Sequence, residues 1–217
     1  MLKVLIFDLD YTLYPQDSGP LVKVGRRIDE YMIRRLGIPP GKVPEIRAQY
    51  KRRYGISTRG LFLHHCLDTE DFTNFVHDVD IEGCLQPNPA LAKVLERIEM
   101  KKVIFTNATT EYARRVLSAV GVEEHFQEIY DLRFMQFRCK PDPQPYRWLL
   151  EKLHLKGGEC LFIEDNVRNL RPGKALGMVT VLVGEDSSDE SVDYAIPSIL
   201  QIGEIVEIVQ QAPPHLG

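Results

Sequence analysis

A chain of 217 residues suffices for one large domain or for a core with a smaller insert. Apolar residues at 44% and charged residues at 27% are ordinary for a globular protein and exclude general disorder. A net charge of −4 lacks the basic footprint of a general nucleic-acid binder, and no apolar run is long enough to span a bilayer.

The chain opens on Lys3-Val4-Leu5-Ile6-Phe7, which reads as a strand buried on both faces in a parallel sheet. It runs directly into Asp8 and Asp10, so the strand must end at a rim where carboxylates meet water, a cation or a substrate. The apolar start is too short, and too soon interrupted by these aspartates, to read as a signal peptide. Cys66, Cys84, Cys139 and Cys160 are scattered without a C-x-x-C pair, which suits reduced thiols in a cytoplasmic protein.

Tyr14–Pro20 is rich in breaker residues and reads as an exposed linker. Helical spacing follows over about Leu21–Leu36, Val43–Tyr54, Gly60–Leu67 and Thr69–Val79, with stops at Gly37 and Gly55. Residues 16–86 contain no convincing strand and read as an all-helical insert. From Pro89 helices alternate with strands, the signature of βαβ units. The strands are Lys102–Phe105, Glu128–Asp131, Cys160–Ile163 and Val179–Val183. The helices cover Leu91–Ile98, Thr110–Val120, Asp142–Leu153, Val167–Leu176 and Ile199–Val209. Residues 185–191 form a polar loop, and a tail begins at Ala212. The expected fold is α/β: a Rossmann-like parallel sheet core flanked by helices, with a small all-helical cap inserted after the first strand. The core takes residues 1–15 and 87–217, and the cap takes 16–86.

Four segments place polar chemistry where apolar strands end or helices begin: Asp8 and Asp10, Thr106-Asn107, Lys140-Pro141, and Glu164-Asp165-Asn166. In a parallel sheet all strand tips point one way, so these groups can converge on one rim. Each also has a purely structural reading, as an Asx turn, a helix cap or a solvated lysine. Together they suit phosphoryl transfer. Carboxylates hold Mg²⁺, a free carboxylate attacks phosphorus, and a hydroxyl, an amide and an ammonium hold the equatorial oxygens. Asp10 is placed to pass a proton to the leaving oxygen.

On these residues the chain resembles the haloacid dehalogenase-like (HAD) hydrolases. Asp8-Leu9-Asp10-Tyr11-Thr12 stands as the first motif, Thr106-Asn107 as the second, Lys140-Pro141 as the third, and Glu164-Asp165 with Asn166 and Asn169 as the fourth. The resemblance implies that Asp8 is nucleophile and metal ligand. It makes Asp10 the general acid/base and a ligand through its backbone carbonyl, and Thr106 and Lys140 the phosphate binders, with Asn107 beside them. Asp165 ligates Mg²⁺ with Glu164 close by, and the insert is a mobile cap hinged at Tyr14–Pro20.

Thr12-Leu13-Tyr14-Pro15, Tyr54-Gly55 with Thr58 and Gly60-Leu61, and Ile104–Ala108 look like the pyrimidine 5′-nucleotidase branch. Tyr11 and Glu164 depart from that branch, which usually has Asn and Asp there. The implied activity is hydrolysis of a small phosphorylated metabolite. The alternatives are a sugar-phosphate or phosphoglycolate phosphatase, a phosphomutase, or a catalytically silent binding protein. Asp10 argues against dehalogenation, because a halide leaves without a proton. For specificity the cap offers Arg59 and Tyr54. Lys51-Arg52-Arg53 reads as a solvated helix face, and adjacent His64 and His65 point apart on a helix, which argues against a metal pair.

Overall fold

The computed structural model describes residues 1–16, 19–185 and 187–211. Among these residues, six strands form one sheet: β1 (Val4–Phe7), β2 (Lys101–Phe105), β3 (Glu128–Tyr130), β4 (Cys160–Glu164), β5 (Val179–Val183) and β6 (Tyr194–Ile196). Their order is β3-β2-β1-β4-β5-β6, and each neighbouring pair is parallel. β6 was not expected from the sequence. It is a three-residue edge strand between Asp193 and Pro197, too short to show a period.

β1 is buried along its whole length because both faces of the sheet are covered. Leu5 and Phe7 point into the larger apolar core, where α5 (Pro89–Glu96), α6 (Thr110–Val120) and α9 (Ile202–Gln211) pack. Val4 and Ile6 point to the other face, against Tyr146 and Leu149 of α7 (Pro143–Leu153) and Leu170 of α8 (Val167–Ala175). The helices start where local chemistry supplies caps. Asp142 accepts the Gln144 amide at 2.9 Å ahead of Pro143, and Thr109 accepts the Tyr112 amide at the start of α6.

Between β1 and β2 lie α1 (Pro20–Arg34), α2 (Val43–Tyr54), α3 (Ser57–His64) and α4 (Thr69–His77). α1 packs on α4 and α2 on α3; the Tyr31 and Phe72 rings meet edge to face at 5.0 Å. Val24, Ile28, Phe72 and Val76 join the same apolar core as the sheet. Polar ties also run from this insert to the rest of the chain. Arg168 donates to the Lys51 and Arg52 carbonyls at 3.0 and 3.2 Å, and Arg133 forms a bidentate pair with Glu70 at 2.7 and 2.9 Å.

The linker expectation needs correction at its start, because Tyr14 is 5% exposed and hydrogen-bonded to Asp10. The remainder of that linker, the polar loop and the tail include Asp17, Ser18, Asp186 and residues 212–217, which lie outside the described residues. Among the described residues, no helix is long and apolar enough to cross a membrane.

Candidate active site

Strand order explains why residues far apart in sequence meet. β1 lies between β2 and β4, with Phe7 level with Ile104 on one side and Ile163 on the other. One residue on, Asp8 therefore emerges beside the ends of both neighbours, where Thr106 and Glu164-Asp165 leave the sheet. The β1–β4 boundary is also where the strand order reverses, the place at which open α/β sheets bind ligands.

Lys140 is the hub. It is 1% exposed, and its ammonium donates to Asp8 Oδ1 at 2.6 Å, Glu164 Oε2 at 2.8 Å and the Phe105 carbonyl at 2.8 Å. Those three bonds account for all its protons. Burial alone would pull the Lys140 pKa down, but the Asp8 and Glu164 carboxylates outweigh it and hold it near about 12. Its loop is fixed by Asn107, whose side-chain oxygen accepts the Lys140 amide at 2.7 Å while its nitrogen donates to the Lys140 carbonyl at 3.1 Å. Both ends of the Asn107 amide thus hold Lys140 in place, and Asn107 also lines the cavity.

Four carboxylates face this single ammonium. Burial, then the charge of Glu164, raises Asp8 to about 6 despite Lys140. Burial also raises Asp10 and Asp165 to about 6 and Glu164 to about 7. Asp8, Glu164 and Asp165 each offer a carboxylate oxygen, all within 4.8 Å of one another. An all-oxygen donor set with surplus negative charge fits a hard divalent cation. Glu164 is the member already committed, since Oε1 accepts the Asn166 amide at 3.2 Å while Oε2 holds Lys140.

Asp10 has its own support. Its Oδ1 accepts the Tyr112 hydroxyl at 3.0 Å and also the Tyr14 hydroxyl. Burial, then the Asp10 charge, pushes both tyrosines far above the usual phenol range, so both remain donors. Tyr112 carries His77 on its ring, with centroids 4.8 Å apart. Burial lowers His77 to about 4, so it is neutral near pH 7. Nothing in the sequence pointed to Tyr112, on the helix that follows Thr106-Asn107, or to His77 at the end of α4.

Asp8, Asp10, His77, Lys140, Glu164 and Asp165 line a cavity of about 450 Å³ that also includes Tyr11, Thr58, Lys51 and Thr106. Tyr11 sits in the left-handed region at φ +64°, in the tight turn that follows Asp10. The Thr106 hydroxyl oxygen accepts the Ala108 amide at 3.1 Å. Two expected residues are not in this lining. Tyr54 bonds His64 at 2.6 Å, and Arg59 donates to the Phe137 carbonyl at 3.2 Å. Tyr54 is thus engaged within the α2–α3 pair and Arg59 with the Phe137 loop.

The haloacid dehalogenase-like hydrolase family matches residues 2–177, and the chain belongs to it. The chain is 28% identical over 122 residues to "Pyrophosphatase PpaX" of Halalkalibacterium halodurans, covering 54% of this chain and 56% of that protein. It is 43% identical over 49 residues to "Bifunctional epoxide hydrolase 2" of Rattus norvegicus, covering 23% of this chain and 9% of the relative. The chain thus spans only part of the curated relatives it matches.

Two solved structures share the fold over nearly the whole chain. The HAD phosphatase of Thermococcus onnurineus superposes with a TM-score of 0.60 at 20% identity, covering 94% of this chain and 98% of that one. The L-2-haloacid dehalogenase of Xanthobacter autotrophicus gives 0.61 at 17%, covering 95% and 99%. The family is therefore a hydrolase family whose relatives include phosphatases.

Proposed function

We propose that the chain is a Mg²⁺-dependent phosphomonoesterase working through an aspartyl-phosphate on Asp8. The observation that carries this reading is Asp8 bonded to the buried Lys140 with Asp10 two residues on, in one cavity. Asp8 and Asp165 would hold the metal, joined by the Asp10 backbone carbonyl. When bound, the metal offsets charge and polarises the phosphoryl oxygens.

Asp8 attacks phosphorus and the ester P–O bond breaks, while Asp10 gives its proton to the leaving oxygen. In the second half Asp10 takes a proton from the water that attacks the phosphoryl group, freeing phosphate and restoring Asp8. Lys140 offsets the charge of Asp8, and the Thr106 hydroxyl holds an equatorial oxygen. Helices α1–α4, within residues 16–86, act as the cap that closes the site from water. The proton shared by Asp10 favours ester hydrolysis over dehalogenation, which expels a halide unaided.

The substrate is a small phosphorylated metabolite, and the resemblance to the nucleotidase branch ranks pyrimidine nucleoside 5′-monophosphates first. Mg²⁺-dependent release of phosphate from p-nitrophenyl phosphate, lost in Asp8→Asn, is the expected result. No release from any phosphoester would favour a binding protein instead. A screen with UMP, CMP, sugar phosphates and phosphoglycolate tests the branch. If UMP and CMP hold no advantage in kcat/KM, the nucleotidase reading fails and the phosphatase reading stands.

A further inference from the structure

The cavity has a second set of donors, on α2 and α3, that the proposed chemistry leaves unused. α3 starts at Ser57 with Ile56 at its N-cap, no side chain capping it and no acidic residue in its first turn. The backbone amides of Ser57 and Thr58 have no acceptor among the described residues. Ser57 and Thr58 are each 6% exposed, and both line the cavity. Neither hydroxyl has a hydrogen-bond partner among the described residues. These donors are open to the cavity and unused within the fold.

Lys51, from the last turn of α2, lines the same cavity and makes no ion pair among the described residues. The contrast is Arg47, one turn earlier on α2 and also in the lining. Its guanidinium is taken by Asp29 at 2.7 Å and by the Gly25 carbonyl at 2.9 Å. A positive helix end, two free hydroxyls and one free ammonium together form an anion-binding set.

We propose that Lys51, Ser57, Thr58 and the start of α3 bind a second anionic group of the substrate. The preferred esters are then those whose alcohol carries a carboxylate or a further phosphate. This inference rests on the phosphomonoesterase reading and places such esters ahead of the nucleotides that the resemblance alone ranks first. A neutral ribose or pyrimidine offers these donors only acceptors, whereas a carboxylate also engages their charge.

Matched esters test it. 2-Phosphoglycolate and ethyl phosphate differ in a carboxylate in place of a methyl group, as do 4-(phosphonooxy)butanoate and butyl phosphate. The wild-type protein is expected to favour the acid of at least one pair by tenfold or more in kcat/KM. Lys51→Gln and Thr58→Val are each expected to collapse that ratio several-fold. A structural defect would lower both members of a pair and leave the ratio intact.

A wild-type ratio near one in both pairs overturns the subsite while the phosphatase reading stands. A high ratio that survives in both variants also overturns it. If no phosphoester is hydrolysed, the phosphatase reading fails and calorimetric binding decides the subsite. Tenfold tighter binding of 2-phosphoglycolate than of ethyl phosphate, weakened in Lys51→Gln, supports it, and equal binding overturns it.

Discussion

Pro141 lies against the α-carbon of Gly55 so closely that a Cβ there would sit 2.4 Å from Pro141 Cδ. Gly55 also holds φ at +85°, a conformation L side chains rarely adopt. The turn between α2 and α3 is thereby seated on the loop that carries Lys140. Gly55→Ala should cost more than about 1 kcal/mol from the backbone alone. It should also lower kcat/KM by displacing the start of α3. Thermal unfolding and steady-state kinetics check both effects, and a wild-type profile in each would show that the seat is unimportant.

The two tyrosines on Asp10 bear on how a proton reaches the leaving oxygen. Tyr112→Phe removes one of its two donors and leaves the ring packing intact. General acid catalysis is worth roughly 10²- to 10⁴-fold, and it matters most for poor leaving groups. The loss in kcat/KM should therefore be about tenfold or more with an alkyl phosphate and small with p-nitrophenyl phosphate. Equal losses on both esters would reduce Tyr112 to a packing residue.

Lys140→Met leaves Asp8 and Glu164 buried without their cation. Removing one partner of such a cluster costs about 3–5 kcal/mol, and losing the charge at the reaction centre should cost at least about 10² in kcat. The stability loss should narrow as pH falls toward 5, where the raised carboxylates become neutral. Denaturant unfolding at two pH values measures this. Unchanged stability at pH 7 would contradict the hub assigned to Lys140.

His77 supplies a pH dependence of known sign. Its folded pKa of about 4 lies below the ordinary 6.5, so the unfolded chain binds the extra proton. The neutral ring's contribution is complete above about pH 6.5 and is lost as pH falls toward 4. Between pH 7 and 5 the wild type should lose about 2 kcal/mol more than His77→Gln. Denaturant midpoints at the two pH values report it, and parallel losses would show that His77 is already solvated.

Much of this architecture was legible because the signals were local. Helices Val43–Tyr54 and Thr110–Val120 and strand Val179–Val183 carry their period and their glycine or apolar boundaries within themselves. The strand-tip residues Asp8, Thr106 and Asp165 follow from the same logic, since a parallel sheet aligns its carboxyl ends, and Lys140 joins them from the loop ahead of α7. What depends on packing between distant segments was not legible. Tyr112 meets Asp10 across 102 positions, and Tyr14 is buried although its neighbours are breakers. The double contact of Asn107 with Lys140, 33 positions away, is likewise invisible in either segment alone. Tyr54 and Arg59 share a helix pair with Lys51 and Thr58, and only the packing shows which members of that pair face the cavity.

The covalent step on Asp8 admits a direct observation. In Asp10→Asn the group that activates water is missing, so a phosphoryl group transferred from p-nitrophenyl phosphate in the presence of Mg²⁺ should persist. Acid quenching, digestion and mass spectrometry should find the peptide containing Asp8 heavier by one phosphoryl group, and the gain should vanish when Asp8 is also changed to Asn. Turnover by the wild-type protein with no such modification on that peptide, in either protein, would contradict the mechanism.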